Sequence, residues 1–466
     1  MQHGRDLTTG SIARHVIAFS MPMLAGNLIQ TAYSLVNAVW VGKFLGTEAM
    51  AAITVGFPAV FVLMAFGGGL TLATNILVAQ YVGARDWNRL KQTVNTSTVL
   101  IGGISLVFVA FGLSTAHLLL RLMSTPPPVM PLATGYLRIF LLCLPSMFGF
   151  FLVGSTLRGV GDSKTPLYFQ AFSLAMNAAL DPVLMFGLVG LPRLGLNGTA
   201  VATLISQTLG LAALCLHLQR QHHPVTPDWR HLRADWPTCR LIVKIGFPSV
   251  VQQSIVSISM LFVVGFVNSF GERAAAAYGA ATRIDQIAFL PAMTIGMAVS
   301  TLAGQNIGAG RYDRANRVFW AAMLLAGGIT LMGSALAVAV PRLLLRMFIS
   351  DPDVIGLGVH YLHIVGGCYI FFAILFVSNG VINGAGHTLA TTLITLVSLW
   401  AVRVPMAAFL SRHMQRVEGI WYAIAISFAA SMMSSIGYYL SGRWKRGVIK
   451  HAPVQEPAEQ VLGRGA

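Results

Sequence analysis

Along this chain the apolar residues gather into runs of roughly 20, broken by short polar stretches. A run of that length covers the hydrocarbon core of a bilayer as one helix. Twelve such runs are expected, near residues 15–41, 51–79, 95–119, 132–156, 165–189, 197–218, 244–269, 276–303, 318–340, 356–381, 388–410 and 419–441. The predicted fold class is an all-α integral membrane protein.

The second half of the pattern repeats the first. Residues 118–139 (LLLRLMSTPPPVMPLATGYLRI) and 343–364 (LLLRMFISDPDVIGLGVHYLHI) are identical at 10 of 22 positions without a gap, including Arg121/Arg346 and Tyr136/Tyr361. At the same offset of 225, Gln80 and Gly83 of AQYVGA meet Gln305 and Gly308 of GQNIGA. Pro22 meets Pro248 with one residue of slippage. So long a period is a copied domain rather than a solenoid unit. Six spans per half is an even number, so both halves insert the same way round and their symmetry axis runs along the membrane normal. The expected organisation is two pseudo-symmetric six-helix lobes, 1–218 and 240–450, joined by a cytoplasmic linker at 219–239 and followed by a polar tail at 451–466. Copied halves built of membrane helices point to a transporter.

Composition agrees with a bilayer. The chain is 55% hydrophobic and 10% charged, where a soluble chain carries about a quarter charged residues. Its net charge of +16 raises the question of nucleic acid, and the distribution answers it. With the N-terminus inside, 20 Lys/Arg fall on the inner side, 9 on the outer side and 2 within spans. That is the positive-inside bias, and no nucleic-acid partner is needed to explain it. The first span is too long for a signal peptide and carries Pro22, so it is read as retained. The expected location is a bacterial cytoplasmic membrane, with both termini cytoplasmic and the protein a monomer. The four cysteines have no metal or redox spacing, and His217, His222, His223 and His231 near the linker lack a zinc pattern. Gly154, Gly159 and Gly161 follow no strand, there is no P-loop, and no cofactor is expected.

Ionisable side chains inside a bilayer are costly, at least ~2.5 kcal/mol at a helix centre. Four lie well inside spans: Asp181, Arg283, Asp285 and Arg403. Asn177 precedes Asp181 by four residues on the same helix face, and Pro182 follows. By depth, Asn37, Tyr136 and Thr199 reach the level of Asp181, so five polar groups are predicted to gather there. Local bonds to backbone are the competing explanation for each partner. A desolvated carboxyl group exchanges protons at a higher pH than one in water. Carboxylate with neutral oxygens also suits Na⁺. Both ions stay open. Arg283 and Asp285 stand at i,i+2 and point to different sides of their helix. Asp285 is therefore expected to meet Arg403, or Arg283 through Gln286 or water, in a buried polar group of the C-terminal lobe. Met147, Phe148, Phe150, Phe151, Phe289 and Met293 are expected mostly to pack, and to bind organic ligands adaptably where they face a cavity.

These residues resemble a known family. The stretch RIDQIAFLPAMTIGMAVSTLAGQNIGAGR (283–311) resembles the eighth-span signature of multidrug and toxic compound extrusion (MATE) transporters of the DinF-like branch. PMLAGNLIQTAYSLVNAVWVG (22–42), LRGVGDSKTP (157–166) and NAALDPVLMFG (177–187) fit the same family, and the resemblance spans nearly all of 10–445. It implies twelve helices in two lobes, alternating access, and export of amphipathic, often cationic, compounds in exchange for H⁺ or Na⁺. It further implies an ion site at Tyr136, Asn177, Asp181 and Thr199, and a bending first helix at Pro22. This sequence departs from the pattern at Asn37, where the DinF-like branch usually has an acid. Gln252 and Gln253 stand in the seventh span, which lacks the intramembrane Glu of the NorM-like branch.

Other readings remain. A lipid-linked precursor flippase of the same superfamily would use a basic hydrated cavity, to which Arg283 and Arg403 lend support. The major-facilitator pattern after span two is not matched by YVGARDWNRLK. A non-transporting receptor or integral enzyme would not explain the duplication, and no enzyme-like cluster of His, Asp or Glu is visible.

Overall fold

A computed structural model describes residues 6–190, 192–228 and 232–445. The polar tail at 451–466 and His231 lie outside the described residues. The N-terminal lobe contains α1 (Ile12–Phe44), α2 (Gly46–Gly83), α3 (Trp87–Leu122), α4 (Met130–Leu142 continued by Leu144–Gly159), α5 (Lys164–Phe186) and α6 (Leu196–Arg220). The C-terminal lobe contains α7 (Trp236–Asn268), α8 (Glu272–Gly308), α9 (Tyr312–Ala339), α10 (Pro352–Gly384), α11 (Thr388–Met414) and α12 (Glu418–Leu440). Eleven of these are long and apolar enough to cross a bilayer as single helices, and the two parts of α4 meet at 42° to give the twelfth. The protein is thus an all-α integral membrane protein of twelve helices in two lobes.

Local chemistry fixes the helix ends and breaks. The Asp86 and Asp235 side chains cap α3 and α7 by accepting from the Arg89 N–H at 3.0 Å and the Thr238 N–H at 2.9 Å. Pro145 lacks an N–H just after Cys143, which is where α4 bends. Gly187 ends α5 with a φ of 73°, the left-handed region where glycine carries no Cβ penalty. Within α11, Val397–Arg403 form a π-helical segment, a local widening often found near functional groups. The linker is shorter than predicted, because α6 runs to Arg220 and α7 starts at Trp236. It is tied to α3: the Asp228 N–H donates to Asn95 Oδ1 at 3.0 Å and the Asp235 N–H to Thr96 Oγ1 at 3.2 Å.

The lobes meet closely at the end bearing Arg85, Arg89, Arg311 and Arg314, the basic end. An ideal Cβ on Gly83 would lie 1.9 Å from the Gln305 carbonyl oxygen, and one on Gly308 would lie 2.0 Å from that of Gln80. Only glycine permits two helices to approach so far. Gln80 Nε2 donates to the Gly384 carbonyl at 2.7 Å, and Gln305 Nε2 donates to the Gly159 carbonyl at 2.8 Å. Both donors and both acceptors are related by the 225-residue offset. The repeat seen in AQYVGA and GQNIGA is therefore the seam between the lobes. Farther from that end, Asn75 Oδ1 accepts from the Thr301 hydroxyl at 3.2 Å, and Asn27 Nδ2 donates to Thr294 Oγ1 at 2.9 Å.

The first helix of each lobe crosses this seam. Val16 and Phe19 of α1, with Leu7 ahead of them, pack into the C-terminal core, while Ile242 and Ile245 of α7 pack into the N-terminal core. Residues 6–10 run as a strap over the basic end. The Leu7 N–H donates to Gln305 Oε1 at 3.2 Å, Arg311 Nη1 to the Thr8 carbonyl at 2.7 Å, and Arg314 Nη2 to the Thr9 and Gly10 carbonyls at 2.7 Å. Burial opposes ionisation of Asp6, but its bonds from Thr8 and the charges of Arg85 and Arg311 outweigh it and hold the carboxyl below its usual range.

Candidate functional site

In the N-terminal lobe the polar groups come from α1, α5 and α6. Asn177 and Asp181 are 3% and 4% exposed, one helical turn apart on α5. The Tyr33 hydroxyl of α1 donates to Asp181 Oδ2 at 2.9 Å and also contacts Asn177 Oδ1. One phenolic hydrogen serves one acceptor at a time, so Tyr33 is shared between them. Asn177 Nδ2 reaches Thr203 Oγ1 of α6 at 3.5 Å. Asp181 Oδ1 is buried without a hydrogen-bond partner, and so is Asn37 Oδ1. Asn37 lies four residues after Tyr33, on the same face of α1.

The predicted five-residue gathering forms in part. Asn177 and Asp181 share a partner, and Asn37 belongs to the helix face that supplies it. Tyr136 is close enough to Asp181 and Tyr33 to interact electrostatically, but its ring packs against Phe140 at 6.1 Å. The Thr199 hydroxyl is spent within its own helix, on the Leu196 carbonyl at 2.9 Å. Tyr33 and Thr203 were not among the expected residues. Tyr33 carried a signal in its i,i+4 spacing to Asn37. Pro22 lies inside an unbroken α1.

The C-terminal polar group departs from expectation. Asp285 on α8 is 6% exposed, and it accepts from the Tyr361 and Tyr369 hydroxyls of α10, each at 2.5 Å and one on each oxygen. Neither arginine forms an ion pair with it among the described residues. Arg403, turned by the π segment, donates from Nε to Ser427 Oγ at 2.7 Å and lies over the Phe428 ring at 4.8 Å. Arg283 is exposed and lies 5.9 Å over Phe348, so it is not part of the buried group. The i,i+2 spacing accounts for this, since it puts Arg283 and Asp285 on different faces of α8. Tyr361 is the repeat partner of Tyr136, so equivalent tyrosines stand beside a carboxylate in each lobe. Tyr369→Phe is expected to leave one Asp285 oxygen without a donor and to lower stability by about 1–3 kcal/mol. Thermal unfolding of the purified protein checks this, and an unchanged midpoint would show that the bond contributes nothing.

A cavity of about 520 Å³ opens between α1, α2, α4 and α5, bounded by α6 through Gln207 and by α8 through Met297 and Thr301. Met147, Phe150 and Phe151 line it as adaptable apolar surface. The other residues named for that role pack elsewhere or lie outside it: Phe148 against Phe108, Phe289 stacked on Phe372 at 3.6 Å, and Met293 45% exposed. Arg158 and several side-chain amides supply the cavity's polar groups. Its volume suits a drug-sized molecule.

Copied helical lobes, close contact at one end, a cavity beside the seam and a buried carboxylate together define a membrane transporter rather than an enzyme. The family model MatE matches the chain twice, over residues 22–183 and 248–409, once in each lobe. The chain belongs to the MATE family. The probable multidrug resistance protein YpnP of Bacillus subtilis is 33% identical over 440 residues, covering 94% of this chain and 97% of that protein. The FAD transporter of Shewanella oneidensis is 25% identical over 453 residues, covering 95% and 97%. Among solved structures, a MATE protein in the straight conformation superposes with a TM-score of 0.86 at 22% identity, over 94% of this chain and 97% of that one.

Proposed function

We propose that the protein exports amphipathic organic compounds across a bacterial cytoplasmic membrane by alternating access, driven by exchange of H⁺ or Na⁺ at Asp181. The observation that carries this reading is the Tyr33 bond to Asp181. It ties a carboxylate with one unpartnered buried oxygen to α1, the helix that crosses the seam and contains Pro22. An ion bound at Asp181 alters what the carboxylate can accept from Tyr33, and so alters the hold on α1. Coupling requires that ion and substrate each bind the two lobe arrangements with different affinities. The names of relatives such as YpnP support an export role. With both termini cytoplasmic, the closed basic end faces inward and this arrangement releases substrate outward. Membership of the DinF-like branch rests on the motifs at 177–187 and 283–311.

Arg403 lends the flippase reading no support, because it is committed to Ser427 and Phe428. The deciding experiment loads lipid vesicles containing the protein with ethidium or carboxyfluorescein and imposes a pH gradient or a Na⁺ gradient, one at a time. One gradient is expected to drive dye movement, and its identity names the ion. Failure of both gradients with both dyes would refute ion-coupled export.

Asn37→Asp is expected to be tolerated, with export equal to or above wild type. Asn37 stands where an acid belongs in the branch, and its carbonyl oxygen has no donor to lose. A folded but inactive variant in the same vesicle assay would show that the cluster is built around the amide.

A further inference from the structure

Among the described residues, the cavity's only charged lining residue is Arg158. It comes from the last turn of α4, is half-buried, and makes no hydrogen bond or ion pair among the described residues. The nearest carboxylate in sequence, Asp162, is committed to the N–H groups of Lys164 and Thr165, both at 3.0 Å. Among the described residues, no Asp or Glu lines the cavity. A guanidinium has five N–H donors and no acceptor, and burying one without a counter-charge is costly. Most amides around it already have partners. Asn75 Nδ2 donates to the Ser155 carbonyl at 2.9 Å, and Asn27 Nδ2 to Thr294. Gln207 also lines the cavity and makes no hydrogen bond among the described residues. The apolar wall of Met147, Phe150, Phe151 and Met297 completes the surface.

We infer that this cavity is a binding site for soluble amphipathic organic anions, with a carboxylate, sulfonate or phosphate held by Arg158 and an aromatic or aliphatic body against the Met/Phe wall. The inference rests on the transport reading and reverses the charge of the expected substrates. A carboxylate or phosphate accepts two parallel N–H bonds from guanidinium, whereas an organic cation meets only repulsion there.

The test uses the full chain in nanodiscs of phosphatidylcholine, without any gradient, and follows the anisotropy of carboxyfluorescein (anionic) and ethidium (cationic). Wild type is expected to bind carboxyfluorescein more tightly than ethidium. R158Q is expected to weaken carboxyfluorescein about tenfold or more and leave ethidium unchanged or tighter, with R158K between the two. On wild type, benzenesulfonate is expected to displace carboxyfluorescein and tetraphenylphosphonium is expected not to, so the test stands even if R158Q does not fold. Equal loss for both dyes, tighter binding of ethidium by wild type, or no binding of carboxyfluorescein would each overturn the inference. Displacement of the dye by equimolar phosphatidylglycerol would overturn it in favour of a lipid headgroup. Because no gradient is applied, anion binding stands even if neither gradient drives export. Gradient-driven ethidium export without carboxyfluorescein binding upholds transport and sinks the anion site.

Discussion

Vesicles carrying Asp181→Asn are expected to show no gradient-driven export above protein-free vesicles, with the protein still inserted and folded. The substitution keeps the side chain's size and an oxygen that can accept from Tyr33, so the tie to α1 survives in the resting structure. What disappears is the negative charge and the capacity to gain and lose a proton. The rest of the cluster offers no replacement: Tyr33, Asn37, Asn177 and Thr203 are neutral, and an amide does not exchange protons near neutral pH. Substrate binding in the absence of a gradient is expected to persist, because Asp181 does not line the cavity. Gradient-driven export at the wild-type rate, at equal protein per vesicle, would remove Asp181 from the coupling step.

Gly83→Ala, and separately Gly308→Ala, are expected to prevent closure of the basic end and to reduce export to a small fraction of wild type. The new methyl group would sit 1.9 or 2.0 Å from a carbonyl oxygen of the opposite lobe, far inside any tolerated contact. That oxygen belongs to a helix backbone and cannot turn aside as a flexible side chain would. The lobes must therefore move apart by more than an ångström, which stretches the Gln80–Gly384 and Gln305–Gly159 bonds beyond useful length. A convenient reporter is Ser300→Cys in a background without native cysteines, since Ser300 is 2% exposed on α8. A maleimide should label this position in the alanine variants and spare it in the glycine parent. Equal protection together with full transport would show that the close approach is dispensable.

Much of the architecture was legible in the chain because a bilayer imposes one simple rule, a long apolar run per crossing. The bend in α4 was hidden, since Pro145 falls inside a continuous apolar run and hydropathy does not register a missing N–H. The π segment at Val397–Arg403, which ends on Arg403, leaves no mark in composition. Helical spacing paired Asn177 with Asp181, and the same argument applied to Asn37 would have led back to Tyr33. It offered no route to Tyr361 and Tyr369 as the partners of Asp285, because that contact joins separate helices. Charge attraction suggested arginine instead, and two hydroxyl groups do the work. Arg158 falls just beyond the predicted span at 132–156, beside a glycine turn; only the helix packing shows that it lines a cavity. The repeat revealed that Gln80 and Gln305 are equivalent, but equivalence says nothing about whether two positions touch opposite sides of one seam.

That seam has the geometry of a symmetric dimer. Its tightest part presents equivalent residues, Gln80/Gln305, Gly83/Gly308 and Gly159/Gly384, across a pseudo-two-fold axis, like an isologous contact made within a single chain. Gln80 and Gln305 exchange bonds with Gly384 and Gly159, and each lobe lends the start of its first helix to the other's core. The linker between Arg220 and Trp236 thus joins surfaces that fit each other. Fusion also let the two edges of the contact diverge. The strap at residues 6–10 reinforces Gln305 through the Leu7 N–H, and among the described residues no backbone N–H does the same for Gln80. The seam therefore has a bolted edge and a plain edge, and parting the lobes breaks fewer bonds at the plain one.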